Sequence, residues 1–226
     1  MIYENIKRGI FLSRPNRFIA HVEIDGKEQI CHVKNTGRCK ELLLPGVKVI
    51  LCESDNPDRK TKYDLIAVYK GNSLINMDSQ IPNWVAYEWL KEGNLFKDIT
   101  LIKPECKYKN SRFDFYVETK KSKNFIEVKG VTLEEDGVAM FPDAPTERGV
   151  KHIKELTECK IEGYSAFVII VIQMKGIKYF TPNVKTHKAF ATALKEAKEA
   201  GVEIICLDCI VEENSIKADS LVEWKI

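Results

Sequence analysis

The stretch Ser111–Gly130 reads SRFDFYVETKKSKNFIEVKG, and it decides how the C-terminal half of the chain folds. It holds two runs rich in aromatic and β-branched residues, separated by a lysine-rich polar turn, which is the pattern of a β-hairpin. Successive side chains of a strand alternate between its two faces. The alternation predicts one apolar face made of Phe113, Phe115 and Val117, with Asp114 on the opposite face.

The second run places Glu127 and Lys129 opposite its apolar residues Ile126 and Val128. If the two runs pair, Asp114 and Glu127 stand close together on one side of the hairpin. Neighbouring carboxylates repel each other unless a cation lies between them, and Mg²⁺ and Mn²⁺ prefer oxygen ligands. A lysine on the same face can position a metal-bound water, so the pattern suits metal-assisted hydrolysis of a phosphodiester.

The same spacing also occurs on ordinary exposed strands whose acids and lysines form ion pairs, and by spacing alone that interpretation is the commoner one. Further polar features favour catalysis: Glu88 on an otherwise apolar helix, Glu105 before the first run, and the motif FPDAPTERG with Asp143, Thr146 and Arg148. Each also has a structural interpretation, because Glu88 fits a polar helix stripe and Asp143 or Thr146 can cap a helix.

The sequence around the hairpin predicts an α/β domain. Helices are expected over Asn83–Glu92, from a Thr146 cap to the residues before Gly163, and over Lys185–Ala200. The apolar run AFVIIVIQM (166–174) predicts a central strand buried on both faces. The order of strands and helices predicts a mixed sheet with helices on its faces.

The first eighty residues have a different pattern. Short alternating or apolar runs recur between turns such as SRPN, DGKE and SDNPD, which predicts an all-β barrel of the five-stranded OB type. The polar, proline-containing segment MDSQIPN (77–83) predicts a boundary. We therefore expect a barrel over residues 1–80 and the α/β domain over residues 81–226.

Composition excludes several classes of protein. No apolar run long enough for a membrane helix and no signal-peptide pattern is present, which makes the cytoplasm the expected compartment and a membrane an unexpected partner. The seven cysteines are expected to be reduced, including the Cys206–Cys209 pair, which lacks a second pair to complete a zinc site. A net charge of +2 permits nucleic-acid binding without demanding it.

Longer motifs narrow the interpretation. From about residue 14 to residue 205 the chain closely resembles the sugar fermentation stimulation protein family, in the segments NRFIAHVEIDG, HVKNTGRCKELLLPG, ESDNPDRKTKYDL, ECKYKNSRFDFYV, FIEVKGVTLEEDGVAMFPDAPTERGVKHIKEL and EAGVEI. The resemblance implies an OB-like N-terminal domain and a C-terminal domain of the PD-(D/E)XK, restriction-endonuclease-like superfamily.

The resemblance also implies roles for individual residues. Asp114 matches the first strand acid of that superfamily, Glu127-Val128-Lys129 matches its ExK element, and Glu88 matches the helix acid of some members. The implied ligands of Mg²⁺ or Mn²⁺ are Asp114, Glu127 and the Val128 carbonyl, with Glu88 as an extra ligand and Lys129 near the water. The proline that often precedes the first acid is absent here.

The family is described as DNA-binding, so the resemblance implies nucleic acid, DNA above all, as the partner. The motifs NTGR (35–38) and SDNPDRK (54–60) suit turns that meet phosphates, or equally turns that pack the domains together. The residues proposed to bind nucleic acid are Arg14, Arg17, Asn35, Thr36, Arg38, Arg59, Lys60, Arg112 and Arg148, with Lys62 as a further phosphate contact. Phe11, Phe18 and Tyr63 can stack on bases, or belong to the core.

Three functions follow from these patterns. The leading hypothesis is a divalent-metal-dependent nuclease. The first alternative is a non-catalytic DNA-binding regulator of sugar metabolism, and the second is a metal-dependent hydrolase of a small phosphate ester. The sequence leaves the oligomeric state open, and a homodimer is compatible with it.

Overall fold

The computed structural model describes residues 1–35 and 37–226. The first part contains six strands: β1 (Ile6–Asn16), β2 (Ile19–Ile24), β3 (Lys27–Val33), β4 (Lys48–Glu53), β5 (Tyr63–Lys70) and β6 (Ser73–Asn76). They pair in the order β3–β2–β1–β4–β5–β6, and β3 also pairs with β5 in parallel. Because that last pairing joins the first strand of this order to the fifth, five strands close into a barrel with β6 outside it, and the predicted barrel is confirmed.

The interior of the barrel decides two of the aromatic alternatives. Phe11 on β1 is 1% exposed and Tyr63 on β5 is 8% exposed, and both pack in the core of the barrel. They are core residues, so the stacking interpretation is wrong for them. Phe18, in the turn between β1 and β2, is 55% exposed and keeps its ring in solvent.

The seam that closes the barrel carries a buried ion network centred on Asp64 of β5. Its carboxylate accepts hydrogen bonds from Arg59 Nη1 and Nη2, at 3.0 and 2.6 Å, and Lys34 Nζ lies 3.2 Å away. His32 on β3, its partner in the parallel ladder, contacts it at 3.1 Å. Burial acts to raise the pKa of Asp64, but the Arg59, Lys34 and His32 contacts outweigh it and lower the pKa to about 2.

Replacing Asp64 by asparagine is expected to lower the free energy of unfolding at pH 7 by about 2 kcal/mol, since each unit of pKa shift is worth about 1.4 kcal/mol. A lowered carboxyl pKa stabilises the fold above the ordinary value of 3.8, and this contribution is lost as pH falls towards about 2. Urea denaturation at pH 7 and pH 3 measures both effects. The control is Asp58→Asn, an exposed acid of the loop between β4 and β5. Equal losses in the two variants would contradict the role of the network.

The second part of the chain alternates strands and helices. Its elements are α1 (Ile81–Lys91), β7 (Ile99–Tyr108), β8 (Ser111–Thr119), β9 (Lys123–Val131), β10 (Leu133–Glu135), β11 (Val138–Phe141), α2 (Glu147–Ile161), β12 (Ser165–Ile172), β13 (Tyr179–Pro182), α3 (Val184–Glu199), β14 (Glu203–Glu212) and β15 (Ser215–Leu221). Six of the strands form a mixed sheet in the order β15–β14–β12–β9–β8–β7. The predicted α/β domain is confirmed.

The long apolar strand β12 lies at the centre of this sheet. It pairs in parallel with both β9 and β14, and from Ala166 onward its residues are buried. One face of the sheet packs against α1, through residues such as Val85 and Leu90, and the other packs against α2, through Ile153 and Leu156. The continuous apolar run is therefore the mark of a strand covered on both faces, as the sequence predicts.

The helices begin and end close to the predicted residues. Thr146 caps α2 by accepting a hydrogen bond from the Gly149 N–H at 3.0 Å, and Asn183 caps α3 through the Thr186 N–H at 3.2 Å. The chain leaves α2 through Gly163, whose φ of +95° suits glycine best. The caps explain why these boundaries can be found from sequence.

Four strands were not predicted. The edge strand β7 has the sequence ITLIKPECKY, whose proline and charges hide its strand character while protecting an exposed sheet edge. Glu105 therefore lies before the hairpin, as predicted, but within a strand of the same sheet. The other three, β10, β11 and β13, form a small separate sheet and are only three or four residues long. Such short strands carry too little periodicity to be detected.

The barrel and the α/β part meet around the segment between β6 and α1. Gln173, which follows β12, donates from Nε2 to Asn76 Oδ1 at 2.9 Å and to the Asp78 carbonyl at 3.1 Å. Its backbone carbonyl accepts the Asn76 N–H. These buried bonds hold the end of the barrel against the end of the central sheet. No helix of the described residues is long and apolar enough to cross a membrane.

Candidate active site

The candidate site lies where β8 and β9 separate. Their regular pairing begins at Phe115 with Ile126 and continues into the hairpin turn. Just beyond it, Asp114 Oδ2 accepts the Val128 N–H at 2.7 Å, and Oδ1 accepts the side-chain amide of Asn83 on α1 at 2.9 Å. A carboxylate thus takes the place of a backbone partner, and it is held at the break by groups from two elements.

The break also changes which way the aromatic residues of β8 point. Phe115 packs on the α1 side of the sheet, as predicted, but Phe113 packs with Phe125 and His152 on the α2 side. The predicted shared face is therefore wrong for Phe113. Strand alternation holds only while the ladder is regular, and here the neighbouring strand β7 is irregular too, with a φ of +51° at Glu105.

Glu127 is the buried centre of the site, with only 2% of its side chain exposed. Its Oε1 atom lies 2.5 Å from Lys129 Nζ and 2.5 Å from His152 Nδ1. Its Oε2 atom is buried and has no hydrogen-bond partner among the described residues. A buried carboxylate oxygen without a partner is costly, so this atom is the natural ligand of a cation.

The two acids differ in protonation behaviour. Burial, and after it the charge of Glu127, raise the pKa of Asp114, although the Val128 N–H, Lys129 and Asn83 act in the opposite direction. Burial acts to raise the pKa of Glu127 as well, but Lys129 and His152 outweigh it and lower the pKa. Without a cation, Glu127 is therefore readily ionised, whereas ionisation of Asp114 beside it is unfavourable.

The residues present fit a hard divalent cation of the Mg²⁺ type. No group of three or more His, Cys, Asp or Glu side chains with metal-binding geometry occurs in residues 1–35 and 37–226. Mg²⁺, however, usually keeps several waters and binds through one or two carboxylates. Asp114 and the unpartnered oxygen of Glu127 supply that number, and the remaining ligands would be water, the Val128 carbonyl or a substrate phosphate.

The other predicted acids lie elsewhere. Glu88 accepts a hydrogen bond from the Met1 ammonium group at 2.8 Å, so the structure does not bring it together with Asp114. Glu105 is exposed and pairs with Arg112 at 3.2 Å. Asp143 Oδ2 accepts the Cys39 N–H at 3.0 Å and so holds a loop of the barrel. The contacts of Glu105 and Asp143, like the cap that Thr146 provides, hold the fold and are not made within the candidate site.

The predicted nucleic-acid-binding residues divide into two groups. Arg14 and Arg59 are engaged internally: Arg14 donates to the carbonyls of Arg17, Asn35 and Arg38 at 2.7–2.8 Å, and Arg59 holds Asp64. The side chain of Asn35 is also engaged, with the Gly37 N–H and the Met77 carbonyl. The exposed side chains are Arg17, Arg38, Lys60, Arg112 and Arg148. Thr36 lies outside the described residues.

Sequence reasoning missed two residues of the site, Asn83 and His152. Asn83 holds Asp114, and His152 holds Glu127 while its Nε2 atom lies 3.4 Å from Arg148 Nε. That network assigns the ring proton to Nδ1, which donates to Glu127. A signal for His152 was present, since it is a polar residue next to the apolar stripe of α2, but a single histidine in that position usually belongs to the core.

Replacing His152 by alanine is expected to lower the free energy of unfolding by about 1–3 kcal/mol, because it removes a donor from a buried carboxylate. The matched control is His21→Ala, which removes a histidine from an exposed pair with Glu28, where the expected loss is about 0–1 kcal/mol. Urea denaturation of both variants at pH 7 measures the difference. If His152→Ala costs no more than His21→Ala, the contact with Glu127 does not hold the site.

A cleft of about 300 Å³ lies between the barrel and the α/β part. Gly130, the neighbour of Lys129, lines it together with Asp143 and Thr146 from the α/β part and Arg17 and Asn35 from the barrel. A side chain at position 130 would collide with Pro82 and Gln173, since an added Cβ would lie 2.5 and 2.6 Å from their atoms. Both parts of the chain therefore line the cleft, which reaches the residue after Lys129.

Comparisons with known proteins cover both parts. One family model, described as the sugar fermentation stimulation protein RE domain, matches residues 80–215, and a second, the SfsA N-terminal OB domain, matches residues 12–77. The chain is 64% identical over 223 residues to a sugar fermentation stimulation protein homolog of Clostridium beijerinckii, covering 99% of each chain. It is 64% identical over 226 residues to the homolog of Ruminiclostridium cellulolyticum, covering 100% of each.

Among solved structures, SfsA of Pyrococcus furiosus in complex with Ca²⁺ is similar over the whole length. The TM-score is 0.92 at 30% sequence identity, covering 100% of this chain and 98% of that one. The two chains therefore share the same arrangement of barrel and α/β part.

Proposed function

Because this chain belongs to the sugar fermentation stimulation protein family, we propose that it is a divalent-metal-dependent nuclease that hydrolyses phosphodiester bonds in nucleic acid, with DNA as the main substrate. The observation that carries the proposal is the break between β8 and β9. There the half-buried Asp114 and the buried Glu127, with an unpartnered Glu127 oxygen, stand beside Lys129. An exposed ion-paired face would not bury these groups.

In this proposal Asp114, Glu127 Oε2 and the Val128 carbonyl hold Mg²⁺ or Mn²⁺. When bound, the ion polarises the phosphodiester and lowers the pKa of a water at the site. Support comes from the relative of Pyrococcus furiosus, whose solved structure is a Ca²⁺ complex. Ca²⁺ and Mg²⁺ are both hard cations that prefer oxygen ligands. Glu88 stays a weaker candidate for an extra ligand, since it would first have to leave Met1.

The protein's own groups would prepare the site in three ways. His152 donates to Glu127 Oε1 and so directs the other oxygen, Oε2, towards the cation. Asn83 and the Val128 N–H fix the orientation of the Asp114 carboxylate. Lys129, with 15% of its side chain exposed, can donate to the attacking water or to the phosphate without leaving Glu127.

The barrel over residues 1–80 would bind the polymer and the α/β part over residues 81–226 would cut it. The exposed cation Arg17 lines the cleft from the barrel side, Arg38 lines the adjoining barrel surface, and Arg148 lies beside His152 on α2. Phosphate contacts of this kind supply affinity that falls with salt and is independent of sequence. A polymer that spans both parts can use all of them at once.

The test is a cleavage assay with end-labelled single- and double-stranded DNA and RNA, in Mg²⁺, in Mn²⁺ and in EDTA. We expect cleavage that requires the divalent ion. The control is Glu127→Gln, purified in the same way, which keeps a side chain of the same shape and loses the charge. Binding without cleavage under every condition would favour the regulator, and cleavage by Glu127→Gln at the wild-type rate would exclude this site.

A further inference from the structure

Two aromatic side chains stand out from the surface. Of the described aromatic residues, Phe18 and Trp84 are the two that are exposed, at 55% and 56%, whereas the others are buried or half-buried. Burying an exposed aromatic ring against a partner is favourable, by about 25 cal/mol for each Å² of apolar surface removed from water. The two rings belong to different parts of the chain, but each adjoins a residue of the cleft or of the candidate site.

Phe18 adjoins a groove on the barrel that carries only positive charge, which we call the basic groove. It has a volume of about 660 Å³, and its charged lining residues are Arg14, Arg17, Arg38 and Lys40, with no acid among the described residues that line it. Arg17 and Gly37 line both the basic groove and the cleft beside Gly130. The basic groove therefore adjoins the cleft, and the cleft reaches Gly130, the residue after Lys129.

The walls of the basic groove are held in place by internal bonds. Arg14 ties together the carbonyls of Arg17, Asn35 and Arg38, and Asp143 holds the same loop through the Cys39 N–H. By contrast, the charged ends of Arg17, Arg38 and Lys40 form no ion pair with the described residues. These three cations are therefore presented on a fixed backbone and can meet phosphates without breaking other contacts.

Trp84 lies on α1. It follows Asn83, which holds Asp114, and it packs edge-on against Tyr87 with ring centroids 6.5 Å apart. Tyr87 stacks on Phe115, the neighbour of Asp114, at 6.2 Å. The indole ring thus packs against Tyr87, which itself rests on Phe115, while about half of the Trp84 side chain faces solvent.

We propose that Phe18 and Trp84 stack on unpaired bases of a single strand of nucleic acid whose phosphates follow the basic groove and the cleft to Asp114 and Glu127. This inference rests on the proposed nuclease function and names its substrate as single-stranded. Every base offers an aromatic face, but in a duplex those faces are already stacked on each other. One aromatic ring beside the basic groove and another beside the candidate site therefore favour an unpaired strand, without regard to base sequence.

The test is fluorescence anisotropy with a labelled single-stranded oligonucleotide and a blunt duplex of equal length, in EDTA so that no cleavage intervenes. We expect the single strand to bind more tightly. Phe18→Ala and Trp84→Ala should each weaken its binding by about 5–100-fold, which corresponds to the loss of one stacked base. Trp84→Phe, which keeps a ring, should restore most of the affinity. Ile161→Ala, an exposed apolar residue at the end of α2, serves as the control.

The cations are tested in the same assay. Arg17→Ala and Lys40→Ala should each lower the slope of log affinity against log salt by about 0.7, the value for one phosphate contact on a single strand. Lys195→Ala, on the exposed face of α3, should leave the slope unchanged. All the substituted side chains are exposed, and all except Arg17 and Lys40 lie outside the walls of the basic groove. The melting temperatures of the variants should therefore stay at the wild-type value.

Two outcomes would overturn the inference: tighter binding of the duplex, or unchanged single-strand binding in both aromatic variants. The second outcome would assign the exposed rings to a protein partner instead. Failure of the proposed function is distinguishable, because it appears as absence of cleavage in Mg²⁺ and Mn²⁺ while the binding effects in EDTA persist. If Phe18→Ala and Trp84→Ala cleave a single strand as the wild type does, the stacking is refuted, whereas the proposed nuclease function still holds.

Discussion

Replacing Lys129 by alanine is expected to lower the rate of metal-dependent phosphodiester cleavage by about 10²–10⁴-fold, the usual contribution of a side chain that moves or holds a proton in the transition state. Lys129 is the cation nearest to Glu127, at 2.5 Å, and it lies on the same strand two residues further on. Its removal leaves the two carboxylates and the cation site in place. The measurement is the single-turnover rate on a labelled single strand in saturating Mn²⁺.

The control for this prediction is Lys123→Ala, at the exposed start of the same strand β9. It changes the net charge by the same amount and should leave the rate unchanged. Binding of the uncleaved strand in EDTA should differ little between Lys129→Ala and the wild type, which separates chemistry from affinity. A Lys129→Ala rate within about threefold of the wild type would show that the lysine is only a structural partner of Glu127.

Replacing Asp114 by asparagine is expected to abolish metal-dependent cleavage while leaving the metal-free protein at least as stable as the wild type. The pKa of Asp114 is raised, first by burial and then by Glu127. A raised carboxyl pKa means that the ionised form is held less well in the folded than in the unfolded state, so its charge opposes folding at pH 7. The neutral amide removes that cost and can still accept the Val128 N–H.

Thermal melting with and without Mn²⁺ measures this second prediction. A ligand at a hundred times its dissociation constant stabilises the folded state by about 2.7 kcal/mol, so the wild type should melt at a higher temperature with the ion. Asp114→Asn should lose most of that increase. A matched control is Asp98→Asn, an exposed acid before β7, which should keep it. A melting temperature that falls in Asp114→Asn without metal would contradict the electrostatic argument.

Two features of the candidate site lower the stability of the metal-free protein. Asp114 is kept ionisable beside another acid, and Glu127 keeps one buried oxygen without a partner. Such features persist when they serve binding or catalysis, since selection for stability alone would remove them. The contrast with Asp64 is instructive, because its buried carboxylate is fully engaged with Arg59, Lys34 and His32 and lowers the free energy of the fold.

The sequence predicted the elements of the site better than their arrangement. Asp114, Glu127 and Lys129 could be found because a hairpin pattern and a motif resemblance coincide on them. Phe113 could not be placed, since strand alternation fails at the break in the ladder. Glu88 was attractive on its apolar helix, but the contact that holds it, with the Met1 ammonium group 87 residues away, has no local signal. The same is true of the contact between His152 and Glu127.

Local patterns by themselves determined the barrel strands, the central strand β12, the caps of α2 and α3 and the acids of the hairpin. These features depend on neighbours in the chain, through alternation, apolar length and capping side chains. Only the tertiary structure decided which basic residues are engaged, which aromatic rings stay exposed, and that Asn83 and His152 contact the two acids of the candidate site. The physical reason is that burial and hydrogen bonding depend on residues that are distant in sequence. Asp143 and Cys39, for example, meet only when the two parts of the chain pack together.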